Sequence, residues 1–137
     1  AIMPTKAHND DFCYDCYAVS EEEIAPDVWK YGLGFALQIE NRNKPADISR
    51  CFTFRPRSSV WKTGMVLSNS EATIDDGFVG EISAVFYHVF PKMPRYKVGD
   101  KVVQFHLETC DNIMLIETDK LNKTERGDNG YGSSDKK

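Results

Sequence analysis

No stretch of the 137-residue sequence is apolar for long enough to cross a membrane, and the first residues lack the pattern of a secretory signal. Positive charge is not in excess: 17 Lys and Arg face 21 Asp and Glu, for a net charge of −4. Such a chain offers no broad basic field, so direct nucleic-acid binding is not expected, and an anionic ligand needs local cations or a metal. Cysteine is sparse. Cys13, Cys16, Cys51 and Cys110 could close two disulfides, but a domain of this size folds without staples. They read as free thiols in a reducing compartment, which sets a cytoplasmic location as the expectation, with the nucleus or a virus-infected host's cytoplasm as variants. Helix signals are few; Ser20-Glu21-Glu22-Glu23 reads as a helix start that Pro26 cuts short. His8, His88 and His106 lie too far apart to form a ligand spacing.

Alternation is what the chain has in quantity. Between residues 28 and 39, Trp29, Tyr31, Leu33, Phe35, Leu37 and Ile39 fall at every second position, which puts six large apolar side chains on one sheet face. Phe12, Tyr14, Cys16 and Ala18 repeat the pattern. Residues 82–90 are apolar on both faces, as suits a strand buried between sheets or subunits. Residues 102–107 and 113–116 give two more short strands, and turn-rich stretches fall at 40–49, 68–80 and 92–100. Short strands between turns predict an all-β sandwich or jelly roll. One domain over residues 1–121 is followed by a tail, 122–137, that carries Gly127, Gly130, Gly132 and a single aromatic, Tyr131.

Several segments carry groups suited to phosphate chemistry. Arg57-Ser58-Ser59 follows a strand and offers a planar fork of donors beside two hydroxyls. Asn69 and Asp75 bracket a predicted hairpin; an Asp there can act as general base for a water, while Asp75-Asp76-Gly77 taken alone is a turn. The tail from Arg126 to Ser134 combines a cation, backbone amides freed by glycine, two hydroxyls and a ring for stacking on a base; taken alone it is a flexible linker. Cys13 and Cys16 lie three apart on a strand and point to opposite faces, which removes them as a metal or redox pair.

The order of these segments resembles the trimeric dUTPase family over nearly the whole chain. Its motif Ala-Gly-Tyr-Asp-Leu is similar to Phe12-Cys13-Tyr14-Asp15-Cys16, and Pro-Arg-Ser-Ser is matched by Pro56-Arg57-Ser58-Ser59. The third motif, an Asn followed by Gly-x-Ile-Asp-x-x-Tyr-x-Gly-Glu-Ile, resembles Asn69 with Ala72-Thr73-Ile74-Asp75-Asp76-Gly77-Phe78-Val79-Gly80-Glu81-Ile82. Gly-Asp-x-x-x-Gln is matched by Gly99-Asp100-Lys101-Val102-Val103-Gln104, and the Gly-rich fifth motif resembles Arg126 to Asp135. The departures are Cys13 and Ala72 for glycines, Phe78 for Tyr, Tyr131 for Phe, Ser134 for Thr and Asp135 for the last Gly. The family's usual first strand, ahead of Ala1, is not in this sequence.

The resemblance implies a homotrimer of distorted jelly rolls whose C-terminal tails close over neighbouring active sites. It implies hydrolysis of dUTP to dUMP and pyrophosphate with Mg²⁺, limiting uracil in DNA and supplying dUMP for dTMP synthesis. Asp75 would activate the water, and Asp15 would hold Mg²⁺ through water. Arg57, Ser58, Ser59, Gln104, Arg126, Gly132, Ser133 and Ser134 would bind the phosphate chain. Asn69, Thr73, Ile74, Phe78 and Tyr131 would contact base and sugar. Two rival readings accompany it. A dCTP deaminase shares the fold but needs a Glu where this chain has Val85. A dUTPase-like shell could also serve as a regulatory protein with a protein partner, as in some viral relatives.

Overall fold

The computed structural model describes residues 1–40 and 45–135, so part of the turn-rich stretch predicted at 40–49 and the last two residues of the tail lie outside the described residues. Among the described residues, eight strands form two four-stranded antiparallel sheets. The strands are β1 (Tyr14–Tyr17), β2 (Ser20–Ala25), β3 (Val28–Gly32), β4 (Ile48–Arg55), β5 (Met65–Leu67), β6 (Ala72–Asp75), β7 (Ser83–His88) and β8 (Lys101–Asp111). One sheet has the order β1-β8-β4-β6, the other β2-β3-β7-β5. Two short 3₁₀ turns, Ser58–Lys62 and Ser133–Asp135, are the only helical elements among the described residues. The expected all-β sandwich is therefore observed.

The inner faces of the sheets meet in a single core. Cys16, Phe54, Val103 and Phe105 come from the first sheet, and Tyr31, Met65, Leu67, Ala84 and Phe86 from the second. Aromatic edges knit them: Phe54 stacks on Phe105, and Tyr31, Phe86 and Tyr96 meet edge to face. The Tyr31 hydroxyl donates to the Tyr96 carbonyl at 2.7 Å, satisfying a polar atom inside this cluster.

Four sequence expectations need correction. Ser20–Glu23 does not start a helix; it is part of edge strand β2, joined to β3 by the two-residue turn Pro26-Asp27, where Asp27 takes φ 59°. The alternation of residues 28–39 survives as burial, but the β3 strand stops at Gly32 and Gly34 (φ 77°) forms a kink. There the amide of Leu33 donates to Ile82, whose own amide donates to Phe35. Residues 113–116 make no strand and stay 74–87% exposed, because no strand among the described residues pairs with them. Asn69 and Asp75 do not bracket a hairpin; the turn at Asn69 carries the chain from β5 in one sheet to β6 in the other. Neither Cys13 nor Ala72, where the family has glycine, takes a positive φ.

The acidic edge of β2 is kept in place by a distant cation. Arg95 donates to both Glu21 carboxylate oxygens, at 3.0 and 3.3 Å, and lies over the Trp29 ring at 3.8 Å. The hydrogen bond from Arg95 holds the Glu21 carboxyl below its ordinary range. A lowered folded-state pKa stabilises the fold above the unfolded carboxyl's pKa, and that gain is lost as pH falls through the lowered value. Glu21→Gln is thus expected to reduce the melting temperature at neutral pH by about 2 °C, a size suited to a partly exposed pair. The gap from the parent protein should close as the pH is taken down through the carboxylate range; a gap that persists in acid would show that the ion pair is not its cause.

Candidate active site

The outward face of the first sheet is polar in rows set by strand register. Gln104 on β8 stands opposite Asp15 on β1 and Arg55 on β4, so these three residues form one row across three strands. Their neighbours in sequence, such as Val103, Phe105 and Phe54, point into the core, as alternation requires. One step along β8, His106 and Thr53 pair, and a further step brings Glu108, Cys51 and Asp75 into line.

Beyond the end of β4 the chain turns at Pro56 and enters the 3₁₀ turn, which places Arg57 and Ser58 against this row. Arg57 Nε donates to Asp15 Oδ1 at 3.0 Å and its Nη1 to Ser59 Oγ at 3.2 Å. Lys101 Nζ lies 3.5 Å from Asp15 Oδ2, so the half-buried carboxylate sits between two cations. The Gln104 side-chain amide donates to the Pro56 carbonyl at 3.1 Å, pinning the start of the Arg57 segment to β8. Asp15, Arg57, Ser58 and Gln104 line one open cleft of about 480 Å³, together with Arg55 and Asp11. Sequence reading assigned no role to Arg55, Lys101 or Asp11. The alternation Cys51, Thr53, Arg55 along β4 was the available signal for Arg55.

A second, smaller cavity of about 110 Å³ opens between the sheets. Asn69, Ala72 and Ile74 line it, with Leu33, Ser83 and Val85 among the opposing groups. No carboxylate contributes to its lining. Thr73, next to Ile74 on β6, faces the other side of the sheet. Asp75 is exposed at the end of β6, and its carbonyl accepts the Phe78 amide at 3.0 Å across the Asp76-Gly77 turn. The Phe78 ring is folded back on Gly80, where an added Cβ would come within 2.8 Å of the ring.

These two groups do not converge within one chain. Asp75 is on β6 and Asp15 on β1, at opposite edges of the sheet, with β8 and β4 between them. At the usual strand spacing that is about 14 Å across the sheet. The tail is separate again. Its Arg126 donates to the Asn129 carbonyl at 2.9 Å, and Ser133 and Ser134 share a shallow surface with Arg126. Among the described residues, the hydrogen bonds of 122–135 run within the segment. Tyr131, at φ 53°, is fully exposed, and Gly132 takes φ 79° beside the Asp135 carboxylate.

The donor set fits Mg²⁺ only in one mode. Among the described residues no three His, Cys, Asp or Glu side chains come together to cage an ion. A single well-placed carboxylate, Asp15, suits a Mg²⁺ that keeps its waters and takes its other oxygens from a bound phosphate chain. Cys13 does not compete: its thiol is pushed up mainly by burial, with Arg55 opposing the shift, and it faces His106 Nδ1 at 3.9 Å. Cys16 is fully buried, with its thiol pushed up to about 12 by burial first and by the Asp15 charge second.

Comparison with known proteins adds the following. The dUTPase family model matches residues 1–135. The deoxyuridine 5'-triphosphate nucleotidohydrolase of Clostridium kluyveri is 31% identical over 136 residues, covering 98% of this chain and 90% of that protein. Its Clostridium novyi counterpart is 30% identical, covering 98% and 91%. Among solved structures, the Staphylococcus bacteriophage 80alpha dUTPase with dUPNHPP superposes with a TM-score of 0.76 at 20% identity, over 98% of this chain and 92% of that one. A mutant dUTPase from phage phi11 of S. aureus, described for coordination of a structural Mg(II) ion, gives a TM-score of 0.61 at 19% identity, over 91% and 92%. At these identities the structures bear on the fold.

Proposed function

The chain belongs to the dUTPase family, and from that premise we propose that it hydrolyses dUTP to dUMP and pyrophosphate, limiting uracil in DNA and supplying dUMP for dTMP synthesis. The observation that carries this reading is the single cleft in which Asp15, Arg57, Ser58 and Gln104 meet. These residues come from three motifs far apart in sequence, and their chemistry suits a phosphate chain with its metal. Asp15 would hold Mg²⁺ through water, with the substrate as its other ligand, and the ion would supply charge neutralisation of the phosphate oxygens. Arg57, Ser58, Ser59 and Gln104 position the chain, which is where most catalysis of phosphoryl transfer lies.

Asp75 orients a water and takes its proton as the water oxygen bonds to the α-phosphorus. The bond from that phosphorus to the bridging oxygen breaks, and pyrophosphate leaves with the electron pair. Asn69 and the backbone near Thr73 and Ile74 pair with the uracil edge, and the cavity that Asn69 and Ile74 line supports this role. Cytosine presents a donor where uracil presents an acceptor, a mismatch worth about 1–3 kcal/mol per unpaired group. Phe78 packs under the sugar and excludes a 2′-hydroxyl by volume alone. Tyr131 caps the base, and Arg126, Gly132, Ser133 and Ser134 reach the terminal phosphate. The separation of Asp75 from Asp15 within one chain supports a homotrimer in which these groups come from different copies, with residues 122–137 closing over a neighbour's site.

Pyrophosphate release measured with dUTP, dCTP, dTTP and UTP tests the reading. The expected result is release from dUTP alone, lost with excess chelator. Comparable turnover of UTP would remove the role given to Phe78, and ammonia released from dCTP would replace the hydrolase by a deaminase.

A further inference from the structure

The phosphate cleft holds a second guanidinium that none of the family motifs names. Arg55 ends β4, and its register partner Gln104 is also the partner of Asp15. Its side chain therefore leaves the sheet on the face that carries the cleft, and it lines that cleft beside Arg57 and Ser58. The charges there show why a second cation matters. Two carboxylates, Asp11 and Asp15, face Arg55 and Arg57. Arg57 is already engaged twice, through Nε with Asp15 and through Nη1 with Ser59. Without Arg55 the lining would be net negative, a poor environment for a polyphosphate.

Arg55 is differently placed. Among the described residues only its Nε is engaged, by Glu71 at 3.1 Å, and both side chains are about half exposed, at 44% and 52%. The guanidinium fork has donors on both terminal nitrogens besides Nε, and these remain for two oxygens of an anion. Glu71 also belongs to the segment that starts at Asn69, with its amide donating to the Asn69 carbonyl. Glu71 thus reaches Arg55 from the outer edge of the sheet and occupies Nε alone. An exposed pair of this kind contributes little to stability by itself, so stability alone gives Arg55 no role.

We propose that Arg55 is a phosphate-binding residue of this cleft, donating from its terminal nitrogens to the β- or γ-phosphate of the nucleotide; the proposal rests on the dUTPase reading above. The β,γ part of the ligand is the target because the α-phosphate must lie near the attacking water, which leaves the outer phosphates to meet the two guanidinium groups of the cleft. Loss of Arg55 should weaken binding of a nucleoside triphosphate and leave a monophosphate unaffected.

Calorimetric binding of the imido analogue of dUTP with Mg²⁺, and of dUMP, to the full chain tests this. Arg55→Gln is expected to weaken the analogue roughly tenfold to a hundredfold, the size of one or two charge-assisted hydrogen bonds, and to change dUMP affinity less than about twofold. Arg55→Lys should recover part of the loss by keeping the charge. Glu71→Gln should leave both ligands nearly unaffected. Equal binding of the analogue by the parent and Arg55→Gln proteins would overturn the proposal. So would a loss in Glu71→Gln that matches Arg55→Gln, since Arg55 would then act only by bracing the Asn69 segment. Failure of the parent protein to bind the analogue at all would remove the dUTPase reading and this proposal with it, a result distinct from an Arg55 variant that binds normally.

Discussion

Asp75→Asn is expected to slow pyrophosphate release from dUTP by about 10²–10⁴-fold, the usual contribution of a positioned general base. The substitution keeps the size and shape of the side chain but removes its capacity to take a proton from water. Structural cost should be small. Asp75 is exposed at the end of β6, and the contact that shapes its turn is made by its carbonyl, which accepts the Phe78 amide. The melting temperature should therefore stay close to that of the parent protein, and binding of the imido analogue should persist. A variant that keeps its rate within a few-fold of the parent would take the base role away from Asp75. A variant that loses rate and unfolds would mean that the carboxylate braces the turn.

Phe86→Ala is expected to cost about 3–5 kcal/mol of stability, the range for emptying an aromatic site in a core that cannot collapse around it. Folded domains have about 5–15 kcal/mol in total, so this is a large share. Phe86 is fully buried, with Tyr31 at 5.8 Å and Tyr96 at 5.3 Å between ring centroids. Both contacts are edge to face, and both partners belong to the same buried cluster, so neither can move in without leaving a gap elsewhere. Tyr87, the next residue on β7, points outward and is 46% exposed. Tyr87→Ala should cost no more than about 1 kcal/mol. Urea unfolding separates the two: the midpoint should drop steeply for Phe86→Ala at unchanged slope, and little for Tyr87→Ala. Equal midpoints would contradict the assignment of inner and outer faces.

The inner face of the sandwich was legible in the sequence wherever alternation was long. Tyr31 and Leu33 fall where period-two reading puts them, because burial on one side of a sheet imposes that period directly. The edge strand β2 was not legible. Three consecutive glutamates favour a helix start locally, and what makes them a strand is pairing with β3 and the reach of Arg95 to Glu21. That contact joins residues far apart in the chain and leaves no local mark. Residues 113–116 show the converse: their apolar run carries a strand signal, yet strand formation needs an edge to pair with, and this chain offers them none among the described residues.

The candidate site divides along the same line. Asp15, Arg57, Ser58 and Gln104 were recognisable from motif order, and the cleft brings them together. Arg55 and Lys101 were not, since their relation to Asp15 depends on strand register, which appears only once β1, β4 and β8 are aligned. Asp75 was recognisable by motif but stands at the far edge of the sheet, and strand order within a single chain does not bring it to the cleft.

Hydrolysis of dUTP in ¹⁸O-labelled water with Mg²⁺, with both products weighed by mass spectrometry, tests the central claim most directly. The account predicts dUMP that carries one labelled oxygen on its phosphate, and unlabelled pyrophosphate, because water attacks the α-phosphorus. Label in the pyrophosphate, or release of inorganic phosphate in its place, would contradict the account.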